Sequence, residues 1–185
     1  EAALLIEFDD APLAAERAAN VLLDAGAASV ERATDAAQRE ALWAVRKSLS
    51  RTLRQRARFK LSEDVVVPVT AMAALLESCA QLSEAHGLEM PTYGHAGDGN
   101  LHVNVLWNDE SEKPKVRQIT DALFRRTLEL GGTLTGEHGI GLTKRDYLPL
   151  EQPAPLIDKQ RALKAVFDPA SVLNPDKLFS THHGP

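Results

Sequence analysis

The sequence predicts an α+β fold, a mostly antiparallel sheet with helices packed on one face. Three observations lead there. Helical apolar spacing recurs in long segments such as Thr70–His86, short β-branched or alternating runs such as DVVVP and LHVNVLW lie between them, and glycine or proline closes most segments.

The elements follow in order. Ala3–Phe8 reads as a strand, and Ala11–Ala25 as a helix with apolar positions at Leu13, Ala14, Ala18, Val21 and Leu22, stopped by Gly26. Ala28–Arg32 reads as a second strand, and from Thr34 a long helical pattern runs through ALWAVRKSLSRTLRQ. Asp64–Pro68 is β-branched and bounded by proline, a strand signal. Thr70–His86 is an amphipathic helix closed by Gly87. Glu89–Gly94 leads into a glycine-rich segment, and in Leu101–Trp107 alternation puts His102 and Asn104 on one face and Leu101, Val103 and Val105 on the other. Lys113–Leu130 is helical and broken by Gly131 and Gly132; Pro153–Phe167 is the last helix. The order is β-α-β, a long helical insert, then β-α-β-β-α, giving ferredoxin-like βαβ units and a C-terminal helical segment. No repeat or low-complexity linker interrupts it, so residues 1–185 are expected to form one compact unit.

Composition narrows the function. With 44% hydrophobic and 25% charged residues the chain reads as a soluble, globular protein. A net charge of −5 argues against a nucleic-acid surface, which needs a clustered basic face. The single Cys79 excludes an internal disulfide and, in a helical pattern, reads as a buried inert thiol; a reducing, cytoplasmic setting is the expectation, with membrane association compatible. No apolar run approaches the ~20 residues of a spanning helix. The polar tail with His182 and His183 reads as a solvated end.

Chemistry concentrates in two motifs. In GHAGDGNLHVN, a tight loop entering a strand can bring His95 and His102 together, and histidine nitrogens are common ligands of zinc and related cations; two histidines alone are equally compatible with hydrogen-bonded or exposed side chains. In TGEHGIG, Glu137 and His138 are adjacent, so their side chains diverge. Glu137 would complete a His/His/Glu set with coordination positions left open, the composition of a catalytic metal site, and His138 is a natural general base because histidine titrates near neutrality. The glycine spacing G-x-x-G-x-G matches neither the dinucleotide fingerprint nor a P-loop, and turning the backbone is an equal reading of these glycines. Arg46 and Lys60 are candidates for a carboxylate clamp, against the plain reading of a solvated charged face.

GHAGDGNLHVNV, GGTLTGEHGIGLTKRDYL and VFDPASVLNPDKLF, in this order, resemble the C-terminal part of FAD-linked oxidases of the vanillyl-alcohol oxidase type, above all the D-2-hydroxy-acid dehydrogenases acting on D-lactate, D-2-hydroxyglutarate or glycolate. The resemblance extends over nearly the whole chain, so residues 1–185 would form the substrate (cap) domain with its C-terminal segment. It implies that His95, His102 and Glu137 bind a divalent metal, often zinc; that His138 takes the substrate hydroxyl proton; that Asn104 contacts substrate; and that Arg46 and Lys60 hold substrate carboxylates. Asn174 and Lys177, in the terminal motif, would face the flavin. The family carries FAD on a separate N-terminal domain, expected to be missing here, so the chain alone is expected to bind little FAD and not to turn over. The implied partners are a small 2-hydroxy acid, the missing FAD-binding domain and an electron acceptor, with a homodimer compatible and no nucleic acid. Two other readings remain open: a metal-dependent hydrolase on the same ligand set, and a non-catalytic ferredoxin-like ligand-binding module.

Overall fold

The computed structural model describes residues 2–9 and 12–179. Ala11, at the head of the first expected helix, and the tail bearing His182 and His183 lie outside the described residues. The chain forms two compact units, Glu1–Thr52 and Leu53–Pro185, where the sequence led us to expect one.

The first unit holds helix α1 (Pro12–Asp24) and most of α2 (Ala36–Arg56). Asp35 starts α2 by accepting the Gln38 backbone N–H at 2.8 Å, while Gln38 Oε1 accepts the Thr34 N–H at 2.8 Å. Glu7 accepts from Trp43 Nε1 at 2.6 Å and pairs with Arg39. The strands expected at Ala3–Phe8 and Ala28–Arg32 do not form; both segments are extended or bent without a ladder. An apolar run favours burial, but a strand also needs a neighbour for its N–H and C=O groups, and neither segment has one among the described residues. Leu4, Leu5, Ile6 and Phe8 accordingly stay exposed.

The second unit carries the sheet. Strand β1 (Phe59–Val66) leads through a short turn to α3 (Met72–His86); then come β2 (Thr92–His95), β3 (Asn100–Trp107), α4 (Lys113–Glu129), the short α5 (Leu148–Glu151) and α6 (Ala154–Phe167). The strand order is β1-β3-β2 with both pairings antiparallel, so β1 and β2 run parallel with β3 inserted between them: a split β-α-β unit. After α4, Thr133 returns to the free edge of β1 and exchanges two backbone hydrogen bonds with Val66, at 2.9 and 3.1 Å. The expected α+β architecture with an antiparallel sheet is therefore present, and this bridge stands where a ferredoxin-like fold places its fourth strand.

Alternation along β3 divides the sheet into two chemistries. Leu101, Val103 and Val105 face α3 and α4, where Val65, Leu75, Cys79, Leu123 and Phe124 close the core. A second cluster packs Leu148, Ile157 and Phe179 together, tying the segment after α6 to α5 and α6. The opposite face of the sheet is polar: register sets Asp64 across from His102, Ser62 across from Asn104, Tyr93 across from His102 and His95 across from Asn100. Among the described residues no helix is long and apolar enough to cross a membrane.

Candidate functional site

The polar sheet face is where the two glycine-histidine motifs meet. His102 projects from the middle of β3 and is buried, whereas His95, at the end of β2, is exposed. The turn between them is short because Gly99 adopts φ +76 and lies against the chain at Val67, its carbonyl accepting the Val67 N–H at 3.1 Å. The second motif arrives from the segment after the Val66–Thr133 bridge. Its Glu137 carboxylate lies 3.2 Å from His102 Nε2. One ligand atom each from His95, His102 and Glu137 falls within 4.8 Å of the others, an open cluster with one buried and two exposed members.

His138 completes the group. Its ring stacks on that of His102 with centroids 5.4 Å apart and planes 14° apart, while His95 meets His102 edge-on at 5.6 Å. Adjacent residues Glu137 and His138 thus both address His102.

A residue that sequence reasoning did not single out holds this turn. Asp64, fully buried on β1, accepts through Oδ2 from the backbone N–H groups of Gly136, Glu137 and His138 at 2.9, 2.8 and 2.8 Å and from the Thr135 hydroxyl at 3.1 Å. Burial alone would raise its pKa, but the N–H groups of His138 and Glu137, the Thr135 hydroxyl and the Gly136 N–H outweigh burial and hold it at about 2. Burial lowers the pKa of His102, against the pull of the Asp64 and Glu137 carboxylates. Lys144 is also buried and unforeseen: its ammonium donates to the Asp64 carbonyl at 2.8 Å and the Leu134 carbonyl at 2.7 Å and pairs with Glu63 at 3.5 Å, lacing β1 to the loop. An acidic pair inside the β-branched run SEDVVV was the available signal, since a strand that buries both faces tolerates a charge only when it is partnered.

The remaining candidates take different positions. Asn104 shares the face of His102 and is fully buried; its Nδ2 donates to the Pro91 carbonyl at 2.9 Å and the His102 carbonyl at 3.0 Å, while its Oδ1 has no partner among the described residues. Lys60 lies on the same face near the far end of β1, opposite Leu106, with its pKa lowered first by burial and then by Arg54. Arg46 lies on α2 in the first unit. Asn174 and Lys177 pair with each other at 3.3 Å in the segment after α6, which Leu178 ties to the end of the GEHGIG loop by donating its N–H to the Gly141 carbonyl at 2.9 Å.

The donor set fits a divalent cation. Two imidazoles and a carboxylate converge on one side of a partly exposed cluster, leaving the solvent side open as in catalytic sites. The His102 Nδ1, buried without a hydrogen-bond partner among the described residues, faces Asp64 at 3.9 Å, and Nε2 lies 3.2 Å from Glu137, where it donates to the carboxylate when it carries the proton and offers a lone pair to a cation when Nδ1 carries it.

Residues 1–178 match the family described as FAD linked oxidases, C-terminal domain. Relatives include the glycolate oxidase subunit GlcD of Bacillus subtilis, 34% identical over 97% of this chain and 40% of that protein. A D-lactate dehydrogenase of Anaerostipes hadrus is 36% identical over 88% of this chain and 35% of its own length. A D-2-hydroxyglutarate dehydrogenase of Xanthomonas citri pv. viticola is 38% identical over 80% of this chain and 32% of its own length. The chain therefore spans at most about two fifths of these relatives.

Proposed function

The chain belongs to the family of FAD-linked oxidase C-terminal domains, and from that premise we propose that it is the substrate- and metal-binding part of a flavoenzyme that oxidises a D-2-hydroxy acid to the 2-oxo acid. The observation that carries this reading is the convergence of His95, His102 and Glu137 with His138 stacked beside them, four groups suited to holding a cation and moving one proton.

His95, His102 and Glu137 hold the divalent cation, zinc being the best match to two imidazoles and a carboxylate. When bound, the cation supplies a Lewis acid for the hydroxyl and carboxylate oxygens of the substrate. FAD, held by another part of the enzyme, supplies the hydride acceptor, and an electron acceptor regenerates it. His138 takes the substrate hydroxyl proton on an imidazole nitrogen as the Cα–H bond breaks. Asn104 and Lys60, on the polar sheet face, bind and orient the acid, and the family resemblance gives Arg46 a carboxylate-binding role of its own; two such cations suit a second carboxylate, as in a dicarboxylic 2-hydroxy acid, while glycolate and D-lactate use one. Asn174 and Lys177 meet the flavin side of the site.

The test is a screen of D-lactate, D-2-hydroxyglutarate and glycolate with the full-length, FAD-loaded enzyme and a dye acceptor, with and without chelator. Turnover of one acid, lost on chelation and in His138→Gln, supports the reading. Turnover indifferent to chelation removes the metal from it, and hydrolysis of esters without flavin replaces it with the hydrolase.

A further inference from the structure

We propose that Asp64 is the positioning residue of this site, a single carboxylate that sets both the proton placement on His102 and the direction of Glu137 and His138. The inference rests on the metal-site reading above and goes beyond it, since Asp64 would touch neither cation nor substrate.

The two oxygens of Asp64 face two different parts of the site. Oδ2 gathers four donors from four consecutive residues, Thr135 to His138. Three successive backbone N–H groups aimed at one oxygen curl the chain around it, and this curl turns Glu137 and His138 toward the sheet although the turn is otherwise exposed. Thr135 closes the arrangement by accepting the Gly139 N–H on its own hydroxyl at 2.8 Å. Oδ1 has no hydrogen-bond partner among the described residues, and the nearest ring nitrogen across the sheet, His102 Nδ1, also lacks one. The two atoms are 3.9 Å apart, in residues set directly opposite each other in the β1–β3 register, and both are sealed from solvent. Two complementary buried groups left unpaired are unfavourable, and a shift of about 1 Å joins them. With the proton on Nδ1 directed at Asp64, the lone pair of Nε2 points to the side where Glu137 and His95 lie.

Asp64→Asn separates the two tasks. Its amide oxygen can take the place of Oδ2 under the turn, while its NH₂ then faces His102 and donates to Nδ1, which drives the proton to Nε2 and blocks the ligand atom. Zinc titration of the full chain by calorimetry is expected to show affinity falling 10- to 100-fold in Asp64→Asn, with the amide protons of Gly136, Glu137 and His138 still slow to exchange. Wild-type zinc affinity in a folded Asp64→Asn variant overturns the inference and leaves the metal site standing; an unsubstituted chain that takes up no zinc overturns both. Two measurements on the unsubstituted chain serve even where the variant fails to fold. Nitrogen shifts of ¹⁵N-histidine in the metal-free chain are expected to place the His102 proton on Nδ1, and the three turn amides to exchange far more slowly than those of an open loop. A proton on Nε2, or exchange at open-loop rates, overturns the inference.

Discussion

The ammonium of Lys144 lies 3.5 Å from the carboxylate of Glu63, and both side chains are almost wholly withdrawn from solvent. Each is perturbed in the direction burial dictates: Glu63 upward and Lys144 downward, with the partner opposing the shift in each case. Because Lys144 also caps the carbonyls of Asp64 and Leu134, removing it strands three acceptors at once. Lys144→Met is therefore expected to lower the unfolding free energy by about 3–5 kcal/mol, the usual effect of breaking a buried pair from one side. Glu63→Leu in the same chain should recover a large part of that loss, because the carboxylate that Lys144 neutralised is then gone and the remaining buried charge, Asp64, keeps its four donors. Urea denaturation of the single and double variants checks this; equal stability of Lys144→Met and the unsubstituted chain would place the lysine outside the fold's support.

Metal loading should register as stability. Zinc that binds only the folded chain adds about 2.7 kcal/mol when present at a hundred times its dissociation constant, and a chelator should remove the gain completely. Glu137→Gln is the informative variant, since the Glu137 side chain is 53% exposed and its replacement should move the metal-free stability by no more than about 0.5 kcal/mol. The zinc-dependent rise in melting temperature should nevertheless shrink, as it should in His95→Ala. A rise of the same size in both variants would show that zinc binds elsewhere.

How much of this was legible follows from what each feature depends on. The helices α1 to α4 and α6 announce themselves through apolar spacing and flanking glycine or proline, which are local properties. Strand β3 does so through alternation, and that alternation already put His102 and Asn104 on one face. The first part of β1, Phe59–Glu63, escaped because its apolar-polar alternation, Phe59-Lys60-Leu61-Ser62, is only four residues long and follows directly on a basic helical pattern; pairing with β3 makes it a strand. Leu4–Phe8 misled for the complementary reason, an apolar run without a ladder partner. The four groups of the candidate site were readable because unusual residues sit among glycines. Asp64 and Lys144 were not, because Asp64 holds donors 71 to 74 positions further on and Lys144 reaches back 80 positions to the Asp64 carbonyl, and only the fold brings these groups together.

The hydroxyl of Tyr147 donates to Asp121 while the ring packs edge-on against Phe124, 4.7 Å between centroids. Burial, then the hydrogen bond to Asp121, pushes its pKa from 10.0 up to about 12. A folded-state pKa above the unfolded value means that the contribution of this hydroxyl to stability is complete below pH 10.0 and is lost as pH rises through about 12. Ultraviolet titration of the native chain should show Tyr147 ionising late, together with alkaline unfolding, and Tyr147→Phe should abolish that step. Ionisation of Tyr147 near pH 10 would contradict the Asp121 bond.

Two glycines of one motif should respond oppositely to the same substitution. A Cβ on Gly99 would lie 1.9 Å from the Val67 carbonyl oxygen, a backbone atom that cannot swing aside, and the residue already sits at φ +76. Gly99→Ala thus combines a left-handed backbone with a collision and is expected to destabilise the chain by about 3 kcal/mol. Gly97, two residues earlier, has nothing within 4 Å of the same added atom, so Gly97→Ala should leave stability within about 0.5 kcal/mol. The difference bears on the site as well, because Gly99 closes the turn that sets His95 opposite Asn100 and beside His102. Gly99→Ala should weaken zinc binding even where it folds, and Gly97→Ala should not. Urea midpoints and zinc titrations on the two variants decide it: equal losses would mean that the motif uses its glycines for turning in general, and a loss confined to Gly99→Ala would mean that close contact with the chain just after β1, at Val67, is what fixes His95 in place.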